Sequence, residues 1–163
     1  MILDLHGLLV GSIQSMPFAY NCEAVGLSHD IKSGTIEVEG EIRNFSGYIL
    51  LTSQIKLKAQ VICARCDCIF DTVFTFDTEQ KMTDKLENND IDEFILIEDQ
   101  KFNVPEFVQE SMLLEMPSKF LCSEDCKGLC PKCGHNLNES LCSCDTREID
   151  PRFAVLTEYF DKK

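Results

Sequence analysis

The sequence predicts an α+β fold: an antiparallel β-sheet or partly open barrel with packed helices and a C-terminal cysteine-rich zinc-knuckle segment. Three observations predict it. Apolar residues alternate with polar ones through much of the first hundred positions, the period lengthens to a helical one after residue 103, and eight of the ten cysteines stand in four close pairs.

The strands come first. Ile36, Val38 and Ile42 alternate between Thr35 and Ile42, and Leu51, Ile55, Leu57, Ala59 and Val61 do so between Ile49 and Cys63. Period-two alternation reads as half-buried strand. Asn44, Ser46 and Gly47 supply a turn between the two, and Phe70, Phe74 and Phe76 continue the pattern into a third strand, giving an antiparallel meander. The stretch from Thr78 to Asp92 is polar and acidic, with Asn88 and Asn89, and reads as a long mobile connection before the apolar run Phe94 to Ile97. Asn103 then caps a helix with Pro105 in its first turn. Val104, Phe107, Val108, Met112 and Leu114 recur at helical spacing until Pro117 ends it. Asp150 before Pro151 opens a terminal helix whose stripe is Phe153, Leu156 and Phe160, with Val155 and Tyr159.

These elements divide the chain into an antiparallel β domain over 1–100, with its acidic loop near 78–93, and a second stretch over 101–163. The latter holds the first helix, a zinc-binding segment at 122–144 and the terminal helix, packed on the sheet as one unit.

Composition narrows the function. The amino terminus, MILDLHGLLVGS, lacks the basic start and long apolar core of a secretory signal. No run approaches the roughly 20 apolar residues that cross a bilayer. The chain is therefore expected in the cytoplasm, away from membranes. Nearly all of the net charge of -13 lies outside the cysteine-rich tail: residues 1–116 hold 20 acidic against 8 basic side chains. Nine of the acids fall between Asp77 and Asp99. Such a surface repels phosphate backbones and attracts basic proteins, although an acidic loop that only aids solubility has the same composition.

Ten cysteines in an unexported chain point to metal rather than disulfides, because reducing compartments keep thiols apart. In LCSEDCKGLCPKCGHNLNESLCSC, Cys130 and Cys133 flank Pro131 and precede Gly134, a knuckle whose backbone amides turn toward sulfur. Cys142 and Cys144 return after a short loop, so the four can close a tetrahedral zinc site with no position left for water. Cys63 with Cys66, and Cys122 with Cys126, are harder to place. They can form a second site stapling the tail to the sheet, exchange partners with the knuckle cysteines, or remain as buried free thiols beside a single zinc. One or two Zn2+ ions are thus expected. Cysteine ligation also suits iron–sulfur clusters, but the CPKCG knuckle favours zinc. A catalytic dithiol would open a helix after a strand, which neither CARC nor CPKC does. Cys22, Cys68, His6, His29 and His135 are read as non-ligands.

The conjunction of VICARCDCIF after a strand, a helix ending in LLEMP, the cysteine-rich run and the final DPRFAVL resembles the YceD family, the large ribosomal RNA subunit accumulation proteins, over roughly residues 35–160. The resemblance implies a bacterial or plastid-type factor needed for accumulation of large-subunit ribosomal RNA, with no known catalytic activity. It also implies that the knuckle cysteines form a dispensable stabilising unit, since family members can lack them and keep the earlier CxRC-type pair. Cys68 departs from a commonly apolar position and is read as a small hydrophobe.

No basic, aromatic-interleaved patch favours direct RNA contact, and no small-molecule substrate or enzymatic carboxylate–histidine pattern emerges. The sequence therefore predicts a non-enzymatic factor that engages a ribosomal protein or ribosome-assembly factor. A thiol-based redox or zinc-sensing protein is the alternative.

Overall fold

The structure, a computed structural model, describes residues 1–45, 48–84 and 94–144. The turn residues Ser46 and Gly47, the acidic segment 85–93 and the expected terminal helix with Phe153, Leu156 and Phe160 lie outside the described residues.

Strand β1 (Ile2–Asp4) leads into a single helical turn, α1 (His6–Leu9), and then β2 (Ser15–Glu23), β3 (Ile31–Phe45), β4 (Tyr48–Ile62) and β5 (Ile69–Thr83) follow as long strands. The short β6 (Phe94–Leu96) and β7 (Lys101–Asn103) precede α2 (Val104–Glu115). Five strands form one sheet in the order β2-β3-β4-β5-β6, antiparallel except that β6 runs parallel to β5 over Lys81–Thr83. At about 3.3 Å per residue, strands of 15 residues reach about 50 Å. Twist accumulated over that length curls the sheet into a half-barrel. The fold is thus mostly sheet, with few helices against it.

The core follows from the alternation. Ile49, Leu51, Ile55, Leu57, Ala59 and Val61 of the central strand β4 face inward with Ile36, Val38 and Ile42 of β3, and all are buried. Val104, Phe107, Val108 and Met112 of α2 enter the same core, as do Leu5 and Leu8 around α1. Gly40 has a specific task in β3. A Cβ there would stand 2.6 Å from the ring of Phe18 and 2.7 Å from Ser53 Cβ, so only glycine lets the β2 aromatic lie across the sheet.

Four expectations change. β2 has no counterpart in the strand reading, although Met16, Phe18, Tyr20 and Cys22 alternate inward while Pro17 sits on an edge strand that tolerates it. β5 runs on to Thr83, so Thr78 and Glu79 are ladder residues paired with Ser53 and Thr52 rather than the start of a loop. In α2 the buried line steps by four through Val104, Val108 and Met112, with Met116 packed beside it. Leu114 lies off that line and is 81% exposed. Asn103 occupies the cap position, but its amide donates to the Glu106 carboxylate (3.0 Å) rather than serving the backbone.

Candidate metal centres

The six residues between β4 and β5 form a tight knuckle. Cys63 N–H donates to Cys68 O (2.9 Å) and Asp67 N–H to Cys63 O (3.0 Å), with Asp67 in the left-handed region at φ 56°. Aspartate accepts that region better than most side chains. The turn presents Cys63 and Cys66 together at the end of the sheet.

The tail is brought to this turn by Phe120, which is buried against Phe74 with ring centroids 5.6 Å apart. Its carbonyl accepts the Ala64 N–H at 2.8 Å. Beyond it, Cys126 N–H turns back onto Ser123 O (3.1 Å), and Arg65 Nη1 donates to the carbonyls of Glu124 (3.2 Å) and Cys126 (2.9 Å). The chain then passes so close that a Cβ on Gly128, at φ 75°, would meet Arg65 O at 2.9 Å. Glycine satisfies both the space and the left-handed backbone.

As a result Cys63, Cys66, Cys122 and Cys126 place their sulfurs within 4.8 Å of one another. Cys63 Sγ lies 3.8 Å from Cys126 Sγ, and Cys66 Sγ lies 3.6 Å from Cys122 Sγ. A tetrahedron with ~2.3 Å metal–sulfur bonds has an edge of roughly 3.8 Å. A disulfide would need about 2.05 Å, and all ten cysteines are free thiols.

The second set is built within one short stretch. Cys130 N–H donates to His135 O and Gly134 N–H to Cys130 O, both at 2.8 Å, with Gly134 at φ 72°. Leu129 and Asn136 bridge antiparallel beneath the turn. Cys130, Cys133, Cys142 and Cys144 then gather their sulfurs within 4.8 Å. Of the three arrangements left open by the sequence, the geometry is therefore that of two sets of four, one joining sheet to tail and one local.

The electrostatics of both sets suit a bound cation. Burial pushes Cys63 up, but N–H groups of Cys122, Arg65 and Cys66 aimed at its sulfur outweigh this and hold it at about 6. Backbone N–H groups of Cys133 and Lys132 bring Cys130 to about 6 as well. Their neighbours move the other way: burial raises Cys122 to about 12, and the adjacent Cys133 thiol raises Cys144 to about 12. Against its burial, the Asn138 amide and the Gly128 N–H draw Cys126 downward as well, so the first set places Cys63 and Cys126 beside the raised Cys66 and Cys122, and the second places Cys130 beside the raised Cys142 and Cys144. A divalent ion supplies the countercharge that releases the protons of the raised thiols. Four sulfurs within 4.8 Å of one another, several of them facing amide donors, fit a single thiophilic ion, and either set could hold one.

Residues outside the two sets are accounted for. His135 Nε2 lies 2.8 Å from Ser140 Oγ, His6 Nδ1 lies 2.8 Å from Gln100 Oε1, and His29 lies 4.0 Å from Asp30. Cys22 faces inward from β2. Cys68 differs from its reading as a mere hydrophobe, because its sulfur lies 3.3 Å from Cys66 Sγ at the margin of the first set. Sequence reasoning did not single out Arg65 or Asn138; the lone arginine inside CARC was the available signal for the former.

Comparison with known proteins places the chain. The family model described as "Large ribosomal RNA subunit accumulation protein YceD" matches residues 51–158. The chain is similar to the large ribosomal RNA subunit accumulation protein YCED homolog 1, chloroplastic, of Arabidopsis thaliana, at 32% identity over 57 residues. That match covers 35% of this chain and 18% of the plant protein. Uncharacterized proteins of Mycobacterium tuberculosis and Mycobacterium bovis are each 27% identical over 131 residues, covering 76% of this chain and 61% of theirs. The chain thus spans less than two thirds of the length of these relatives. No solved structure matches. Among the described residues no helix is long and apolar enough to cross a membrane. The match runs from the central strand through both cysteine sets, and the chain therefore belongs to the YceD family of large ribosomal RNA subunit accumulation proteins.

Proposed function

We propose that this protein is a cytoplasmic, non-catalytic zinc-binding factor that supports accumulation of large-subunit ribosomal RNA and ribosome biogenesis through protein partners. The observation that carries the non-catalytic reading is the closure of both sets. Each candidate site has four sulfurs, the full complement of a tetrahedral zinc, so no position remains for an activated water or a substrate. Zinc here positions surfaces.

The surface best suited to a partner is the outward face of the sheet. Asp77 and Glu79 on β5 pair across β4 residues Gln54 and Thr52, which pair in turn with Glu39 and Glu41 on β3. Four carboxylates thus cross three strands on one face. Such a row repels an RNA backbone and complements a basic ribosomal protein or assembly factor.

The test is purification of the complexes formed in cells, by wild type and by a variant with Glu39→Gln, Glu41→Gln, Asp77→Asn and Glu79→Asn, with zinc counted per chain. The expected result is about two zinc ions per chain and a basic protein partner that persists after nuclease treatment and is lost from the variant. Recovery of RNA alone, with no protein after nuclease treatment, would overturn the partner reading.

A second reading, thiol-based redox or zinc sensing, draws on Cys68 beside Cys66. A peroxide, itself reduced to water, would join those two sulfurs and remove a ligand from the first set. Reversible zinc release under mild peroxide, abolished by Cys68→Ala, would favour it.

A further inference from the structure

We propose that Asn138 couples the two metal sites, so that an ion held by Cys130, Cys133, Cys142 and Cys144 strengthens binding at Cys63, Cys66, Cys122 and Cys126. The inference rests on the metal-binding reading above and concerns how the sites depend on one another.

Asn138 belongs by sequence to the knuckle loop, between Cys133 and Cys142, yet its side chain serves the other set. Its Nδ2 donates to Cys126 Sγ at 3.4 Å and to Asn136 Oδ1 at 2.8 Å, while its Oδ1 accepts the Lys127 N–H at 2.8 Å. Both amide protons and the carbonyl oxygen are therefore engaged. The loop that carries it is fixed by knuckle geometry: Leu137 N–H donates to Gly128 O (2.9 Å), Leu129 bridges Asn136, and Asn138 N–H donates to Asn136 Oδ1 (3.0 Å). Gly128 and Leu129 in turn lie against Arg65, within the CARC turn of the first set.

The physical consequence is a shared support. An N–H aimed at a ligating sulfur orients it and stabilises its thiolate form. Cys126 receives that donor only while residues 136–138 keep their turn, and an ion in the knuckle holds the ends of that loop together. The knuckle needs only local closure, whereas the other set joins cysteines 56 to 63 positions apart. Filling the local site first therefore prepares the long-range one. Because coupling between binding sites is reciprocal, an ion in the sheet-to-tail set tightens the knuckle by the same factor.

Titration of the full chain with Co2+ under reducing conditions reads both sites through the sulfur-to-cobalt charge-transfer bands, with a competing chelator to set affinities. Four proteins form a double-mutant cycle: wild type, Asn138→Ala, Cys130→Ser/Cys133→Ser, and their combination. Wild type should bind two ions with positive cooperativity. Asn138→Ala should weaken the sheet-to-tail site by about 10- to 100-fold and remove the cooperativity. Loss of the knuckle ligands should weaken that site to a similar degree, and the combined variant no further. Additive effects, or an Asn138→Ala protein with unchanged cooperativity, would overturn the coupling. Should the knuckle variant not fold, comparison of wild type with Asn138→Ala and Asn138→Asp decides the matter. Asn138→Asp keeps the acceptor for Lys127 but sets a carboxylate against the thiolate, so it should be at least as damaging as alanine; equal affinity to wild type would overturn the proposal. Failure of the underlying reading looks different: no charge-transfer band in wild type at all.

Discussion

Removal of metal should release the tail while leaving the sheet intact, and the structure sets the size of the effect. The 25 residues from Phe120 to Cys144 contain no helix and no ladder beyond one isolated bridge. Ordering their backbone costs at least ~1 kcal/mol per residue, so about 25 kcal/mol. Phe120 is their one large side chain in the main core; burying ~200 Å² of it returns about 5 kcal/mol. The four hydrogen bonds that join this stretch to Ala64 and Arg65 add about 1 kcal/mol each. These contacts fall well short of the ordering cost, and the metal sites, each able to supply about 10 kcal/mol or more, make up the difference. Hydrogen exchange with and without a strong zinc chelator, under reducing conditions, measures this. The amides of Cys126, Leu129, Gly134 and Leu137 should lose nearly all protection in the stripped protein, whereas those of β3 and β4 should keep theirs. Protection of the tail equal to that of the sheet, in protein shown to contain no metal, would refute the reasoning.

Other outcomes follow from single features. Gly40→Ala forces a methyl group against Phe18 and Ser53 and should cost about 1–3 kcal/mol, seen as a fall in Tm by calorimetry with metal content unchanged. Gly128→Ala, strained by its φ of 75° and by Arg65 O, should instead lower zinc per chain while β3 and β4 stay protected. With metal present, apparent affinity should climb with pH as the displaced protons become easier to lose.

Much of this protein was written locally. Period-two alternation in 49–61 marked the central strand because one face of β4 is wholly buried, and Asn103 with Pro105 marked the start of α2 because both act through the residues beside them. The knuckle was legible for the same reason: Cys130, Cys133, Gly134, Cys142 and Cys144 act within a single loop, where spacing alone restricts geometry. Other features needed the folded chain. Whether Cys63 and Cys66 meet Cys122 and Cys126 depends on Phe120 docking on Phe74 and on its carbonyl capturing Ala64, contacts between positions far apart in sequence. The acidic stretch from Thr78 looked like a loop because charge masks strand alternation, and only pairing with β4 made its first residues ladder. Asn138 was one polar loop residue among several until the tail folded back and set its amide on Cys126. The sequence by itself determined the sheet, the helix and a set of thiols able to close on metal, since those depend on neighbours a few positions away. Tertiary structure alone decided which thiols share an ion and which face of the sheet carries the carboxylates, because both are set by distances between strands and tail that no local pattern encodes.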